Sequence, residues 1–376
     1  MHNKLVPFLA WSVSQGIHTP LELSFEGSYR FMALPAEDSK LLKMVDSCDD
    51  VNVVKVPLDA CILGEDSETL VERLKYEKKM GSKSKFGPWI DVLPTIEDFQ
   101  DMPRFWNSKR LEFVSKFDGG QLHRRMKSDI YDNLDDQWAW ACVDSRSNLL
   151  PDLTCSLSPL LDMFNHRADF TTKASVDEVG QLLLDVTSVS LLKKQEGAEL
   201  EQFVDQAAGG RRALNESIVG RNREVFISYG DFSNLEWLCN YGFIPPNNKR
   251  NIETLTIRVP WQSAYMIVVD ESGSIDNVYN QACLSSIRMN LAKMNRSLDR
   301  QVQESEAAKI SERNEEEVYA LISGEIEEAL YSAKTGVVHA EESKDMLVVQ
   351  YLQGRLASLE KGLNSMKKKY PSLFEF

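Results

Sequence analysis

The chain has 376 residues, 43% of them hydrophobic, enough to bury a sizeable core and to favour two or three structural units over one. Its 43 basic residues stand against 57 acidic ones, a net charge of -14, with no long basic stripe. That balance argues against nucleic acid or an anionic membrane as the main partner and fits a basic protein or peptide.

In chain order, Val6 to Ile17 carries apolar side chains at helical spacing and ends near Gly16, which predicts a short opening helix. Strands are predicted at Leu21 to Phe25, Phe31 to Leu34 and Val51 to Val56, the last rich in β-branched residues before Pro57. From Glu68 to about Ile130 the pattern turns helical, with Trp89-Ile90-Asp91-Val92-Leu93-Pro94 as an apolar hinge between helices. Strand character returns at Leu182 to Val186 and Val225 to Ile227, separated by a polar stretch, Glu196 to Arg223, that reads as a surface loop.

From about Asn251 the chain begins again, with strand-like Leu255 to Val259, and then turns helical. Gln301 to Glu317 is polar nearly throughout and reads as a solvated helix face or a linker. Val318, Leu321, Ile322, Ala329 and Leu330 make one amphipathic face. Val349, Leu352, Leu356, Leu359, Leu363 and Met366 recur at steps of three and four and make another; both read as core packing.

The six cysteines contain no Cys-x-x-Cys pair and read as buried thiols in a reducing compartment, and the five scattered histidines show no metal site. No apolar run approaches the roughly 20 residues of a membrane span. Pro7 and Ser12 break the N-terminal apolar stretch, which fits a helix better than a signal peptide. An intracellular protein is expected, in cytoplasm or nucleus, or in a plastid if a transit peptide has been removed.

Two segments carry chemistry: Leu160-Leu161-Asp162-Met163-Phe164-Asn165-His166, and Glu224-Val225-Phe226-Ile227-Ser228-Tyr229-Gly230 followed by Asn240-Tyr241-Gly242-Phe243. Before them come Tyr76-Glu77-Lys78-Lys79, Ser84, Trp89, Asp101-Met102-Pro103, Trp106 and Trp138 to Arg146. In this collinear order the chain resembles the SET-domain protein methyltransferases related to the Rubisco large-subunit lysine methyltransferase, over nearly its whole length.

The resemblance implies an α+β protein: a SET domain of small curled sheets over 1–248, with a helical insert at about 66–135, followed by an all-helical substrate-binding domain over 249–376. It implies a knot-like crossing that brings Asn165-His166 to Tyr229, an exception to the usual avoidance of threaded connections. It also implies S-adenosyl-L-methionine as cofactor and a protein substrate docked on the C-terminal helices; a monomer is expected. Tyr229 is the implied catalytic residue, orienting the methyl and the acceptor nitrogen.

Asn165 and His166 match the pair that holds the cofactor's adenine and amino-acid parts, with Asp162 before them; a lone His166 could equally be a core imidazole. Ser145 and Arg146 match a pair near the cofactor, Arg146 fixing the carboxylate of the cofactor or of Asp162. Tyr241 and Phe243 match aromatic walls of the acceptor channel, or are ordinary core rings.

The chain departs from the family at two places. The family's glycine-x-glycine turn reads here Phe25-Glu26-Gly27-Ser28-Tyr29-Arg30-Phe31, so Glu26 is carried over as a cofactor contact on one acidic-glycine step alone. After the Ser-Arg pair, lysine-directed relatives commonly have an aromatic residue, and this chain has Asn148. An asparagine there resembles the branch that methylates a histidine of actin, although that branch's tryptophan is replaced by Leu161; Asn148 could also be a turn residue. Lysine methylation of a non-histone protein, histidine methylation and a catalytically silent binding module are the three readings.

Overall fold

The computed structural model describes residues 2–26, 29–33, 50–127, 133–168, 172–187, 224–259, 264–294 and 310–374. By packing they fall into two compact units, the described residues within 2–99, 133–187 and 224–230 in one, and those within 100–127 and 231–374 in the other. The second therefore gathers 100–127 and 231–248 with the C-terminal residues.

The first unit opens with helix α1 (His2–Ser14), anchored by buried Leu5 and Phe8. Strands β1 (Glu22–Glu26) and β2 (Tyr29–Ala33) form a hairpin in which Glu26 pairs with Tyr29, leaving two residues between them. A three-stranded antiparallel sheet runs in the order β3 (Asp50–Pro57), β9 (Gln181–Thr187), β8 (Thr172–Val176). A register shift between Asn52 and Val54 buries the adjacent Val53 and Val54 together, which strict strand alternation forbids.

A second small sheet has the order β4 (Ile62–Gly64), β6 (Cys155–Leu157), β5 (Ser147–Leu149). Between β4 and β5 lies the helical insert. Helix α2 (Ser67–Met80) starts where Asp66 accepts from the Thr69 N–H, and it buries Leu70, Val71 and Leu74. The short α3 (Gly87–Ile90) carries the buried Trp89, and α6 (Leu134–Arg146), capped by Asn133, packs on α2.

In the second unit, α4 (Ser108–Phe117) and α5 (Gln121–Lys127) precede α7 (Asn234–Tyr241), whose start is closed by a capping box of Ser233 and Glu236. Strands β11 (Glu253–Arg258) and β12 (Ala264–Val269) then form an antiparallel hairpin, so the C-terminal region is helical around one hairpin and not all-helical. Alternation turns Leu255 and Ile257 inward, against α8 (Gln281–Met294), α9 (Glu312–Glu342) and α10 (Met346–Lys369).

The predicted stripes are core: Val318, Ile322, Leu330, Val349, Leu352, Leu359 and Met366 are buried. The solvated reading of Gln301 to Glu317 fails at its end. Asn314 and Glu315 are buried, because Ser311 starts α9 early and Glu315 pairs with Arg288. Among the described residues no helix is long and apolar enough to cross a membrane, and no His, Cys, Asp and Glu cluster could hold a metal.

Candidate active site

Two strands of two residues each hold the centre of the first unit. Strand β7 (Asn165–His166) pairs in parallel with β10 (Phe226–Ile227), and the Arg167 N–H extends the ladder to the Ile227 carbonyl at 3.0 Å. A parallel pair needs a long connection. That connection includes 188–223, so the expected crossing and the polar loop fall outside the described residues.

The pairing delivers Tyr229 to the Asn-His segment. Its hydroxyl donates to the Phe164 carbonyl at 2.6 Å, and its backbone N–H donates to His166 Nδ1 at 3.1 Å. The acceptor role of Nδ1 in that bond selects the tautomer with its proton on Nε2. Burial pushes the Tyr229 phenol up to about 12, with Glu224 and Asp162 adding to the rise and Arg146 opposing it. At neutral pH it is a hydrogen-bonding hydroxyl, neither a base nor a nucleophile.

Asn165 ties this centre to the β1–β2 hairpin. Its Nδ2 donates to the Arg30 carbonyl at 2.9 Å and to Glu224 Oε1 at 2.8 Å, while Val225 N–H donates to the Met32 carbonyl at 2.7 Å. Both of its amide protons are thereby engaged. Leu160 enters the segment at φ 66, a left-handed conformation costly for leucine, and leads into the 3-10 turn Leu161–Met163.

That turn places Asp162 between charges. Burial raises its carboxyl pKa; Arg146, the Trp89 indole N–H at 3.2 Å and Arg30 oppose that rise. Its Oδ1 is sealed from solvent and has no hydrogen-bond partner among the described residues. Arg146 Nη1 donates to Ser145 Oγ at 2.8 Å, and Ser145 Oγ donates back to the Ala141 carbonyl at 2.6 Å. Ser145 thus steadies Arg146 from within α6. Arg30 donates to the Val92 carbonyl, and its pKa is lowered by burial and by Arg146.

The structure therefore brings together Tyr229, Asn165, His166, Asp162 and Arg146, with Ser145 behind Arg146. Asn148, on β5, holds the Arg146 carbonyl through a long 3.4 Å contact. Glu26 ends β1, and its side chain lies outside the described residues, as do Gly27 and Ser28. Tyr241 and Phe243 belong to the second unit, where their rings cluster with Phe232 and Trp237 at centroid separations of 4.8 to 6.0 Å. Gly242 between them has φ 73, and a Cβ there would meet the Asp101 and Met102 backbone at 3.0 Å, so only glycine fits.

Three contributors escaped the sequence reading. Arg30 was hidden in the altered glycine turn and Glu224 at the edge of the tyrosine segment. Trp89 stood out there as part of an apolar hinge and of the insert's resemblance, with no role at the site. A cavity of about 720 Å³ is lined by Lys4, Pro7, Glu77, Lys78, Ile90 and Trp138 among others, and by none of the site residues. The charge and hydrogen bonding gathered around Tyr229 make that centre, and not the cavity, the candidate site.

The chain is similar over 99% of its length, and over 93% of the other chain's, to a solved structure of the SET domain of LSMT bound to lysine and AdoHcy, with a TM-score of 0.70. The fold is that of a SET domain. At 17% sequence identity the likeness concerns the fold alone. No protein-family model and no curated protein sequence matches the chain.

Proposed function

We propose that this SET-fold protein is an S-adenosyl-L-methionine-dependent methyltransferase that transfers methyl groups to a lysine amine of a non-histone protein. The observation that carries the reading is the Tyr229 phenol, kept neutral and pinned between the Phe164 carbonyl and the Asn165-His166 strand. The solved neighbour is a SET domain bound to lysine and AdoHcy, in line with the same chemistry.

The residues fit such a cofactor. Arg146 and Arg30 are guanidiniums suited to a carboxylate, and Asp162 Oδ1 and Asn165 Oδ1 are acceptors suited to an ammonium. When bound, the cofactor supplies a methyl made electrophilic by its sulfonium. The chain's own residues supply position and dryness. A lysine with an ordinary pKa near 10.4 must lose a proton before it can attack.

Asn148 supports a second reading. Its amide is held by one long contact, so it is available to donate to an imidazole nitrogen, as a histidine acceptor requires. The acidic net charge of -14 supports a basic protein segment as substrate, and the carboxylate-rich α9 supports docking on the C-terminal helices.

The test is incubation of a cell lysate with isotope-labelled cofactor and the wild-type or Tyr229→Phe chain, followed by residue-resolved mass spectrometry. Label on lysine, lost in the variant, is the expected result. Label on histidine favours the Asn148 reading. No label together with no calorimetric cofactor binding leaves a binding module and overturns both.

A further inference from the structure

We propose that Trp89 is a positioning residue for this site: its indole N–H holds Asp162 by Oδ2, so that the second oxygen, Oδ1, is kept as an acceptor for an ammonium group of the bound ligand. The inference rests on the methyltransferase reading. It assigns to the helical insert and to α1 a part in setting the site that neither the Asn-His segment nor the tyrosine segment shows.

Trp89 is fully buried, and a buried indole N–H requires an acceptor. The acceptor is a carboxylate 73 residues away, at 3.2 Å, in the strained turn before Asn165-His166. The ring is fixed from both sides. Trp11 stacks on it at 6.5 Å with an interplanar angle of 10°, and Phe86 meets it edge-on at 6.3 Å. Trp11 is fixed in turn by its own N–H to the Lys85 carbonyl at 2.7 Å and by Phe8 at 6.1 Å. A stack of rings thus runs from α1 to the carboxylate.

Holding one oxygen decides what the other does. Asp162 Oδ1 is sealed and unpartnered among the described residues, a state that costs free energy unless a donor arrives. The charged and titratable groups facing Asp162 are Arg146 from α6, Arg30 from β2 and the Tyr229 phenol, with Glu224 beyond Tyr229 and Asp98 beyond Arg30. The two guanidiniums favour the charged carboxylate against the effect of burial but leave Oδ1 without a hydrogen bond. An ammonium group satisfies it, and both the cofactor's amino-acid part and the acceptor lysine carry one.

Burial raises the Asp162 carboxyl, and the Trp89 N–H is among the groups that resist that rise. Deleting the N–H therefore moves protonation of Asp162 to higher pH, and a protonated carboxyl no longer attracts an ammonium. Loss of a hydrogen bond to a charged group corresponds to roughly a tenfold fall in affinity at neutral pH.

The experiment is calorimetric titration of the full chain with S-adenosylhomocysteine across the acid-to-neutral range, for wild type, Trp89→Phe and Phe86→Leu. A second arm follows the pH dependence of label transfer into lysate protein at saturating cofactor. Trp89→Phe is expected to move the acid midpoint upward, in the first arm if the cofactor's ammonium is the ligand and in the second alone if the acceptor's is. Phe86→Leu loosens the same ring cluster and is expected to lower stability with the midpoint unmoved. Wild-type midpoints for Trp89→Phe in both arms overturn the proposal.

Should Trp89→Phe not fold, Asp162→Asn decides: the acid limb disappears if this carboxylate sets it, and its persistence overturns the proposal. Absence of any cofactor binding by the wild type is a different failure, that of the methyltransferase reading itself.

Discussion

Tyr229 works at the site as a hydroxyl, because burial pushes its phenol up to about 12 and leaves it neutral throughout the physiological range. Tyr229→Phe is therefore expected to lower methyl transfer on the order of 10²-fold, the scale of a lost positioning contact, while S-adenosylhomocysteine affinity changes little. Single-turnover rates beside calorimetry check this; equal losses in both would make Tyr229 a binding residue. The sign of its pH effect is fixed as well. A phenol harder to ionise in the folded than in the unfolded chain contributes stability that is full below pH about 10 and lost as pH rises through about 12. Alkaline unfolding of wild type is expected to be steeper with pH than that of Tyr229→Phe.

At the scale of elements, the second unit is clamped by a buried polar cluster. Arg355 on α10 and Gln121 on α5 both donate to Glu253 at the start of β11. Asp118 caps α5 through the Gly120, Gln121 and Leu122 N–H groups and accepts from the Tyr351 hydroxyl at 3.3 Å. Removing one charge strands the others, so Arg355→Met is expected to destabilise by roughly 3 kcal/mol, and Glu253→Gln added to it to restore part of that. Urea midpoints of the single and double variants are the measurement.

Burial raises the Glu253 and Asp118 carboxyls, so the folded chain holds protons that the unfolded chain has released. Their contribution is present below the ordinary carboxyl range near pH 4 and falls as pH rises through the folded values. Glu253→Gln is expected to flatten that fall. Helix packing makes a further case at Gly336 in α9, where a Cβ would meet the Phe117 ring at 2.7 Å and Leu352 at 2.9 Å. Gly336→Ala is expected to cost about 1 to 3 kcal/mol by overpacking, against the roughly 1 kcal/mol that alanine's helix propensity would contribute. A thermal midpoint at or above that of wild type would show that the helices can move apart.

For the whole molecule, a net charge of -14 attracts cationic ligands over small zwitterions, which is what the proposed basic protein substrate would use. Transfer to a basic acceptor is expected to lose kcat/KM as salt rises, with S-adenosylhomocysteine affinity nearly constant; salt-independent transfer would assign recognition to apolar contacts. The sequence by itself determined the order of elements, because strand alternation and helical spacing are local: Val51 to Val56, Leu182 to Val186 and the stripe from Val349 to Met366 all fell where periodicity placed them. Asn165, His166 and Tyr229 were marked by the resemblance of their two segments to the motifs of the SET family. Tertiary structure alone decided that Glu315 is buried and that Asn165 spends its amide on Arg30 and Glu224. It alone joined an insert tryptophan to Asp162 across 73 residues. Such pairings have no periodic trace in the chain: a buried donor takes whichever acceptor the fold brings within reach, and that is settled only when distant segments pack.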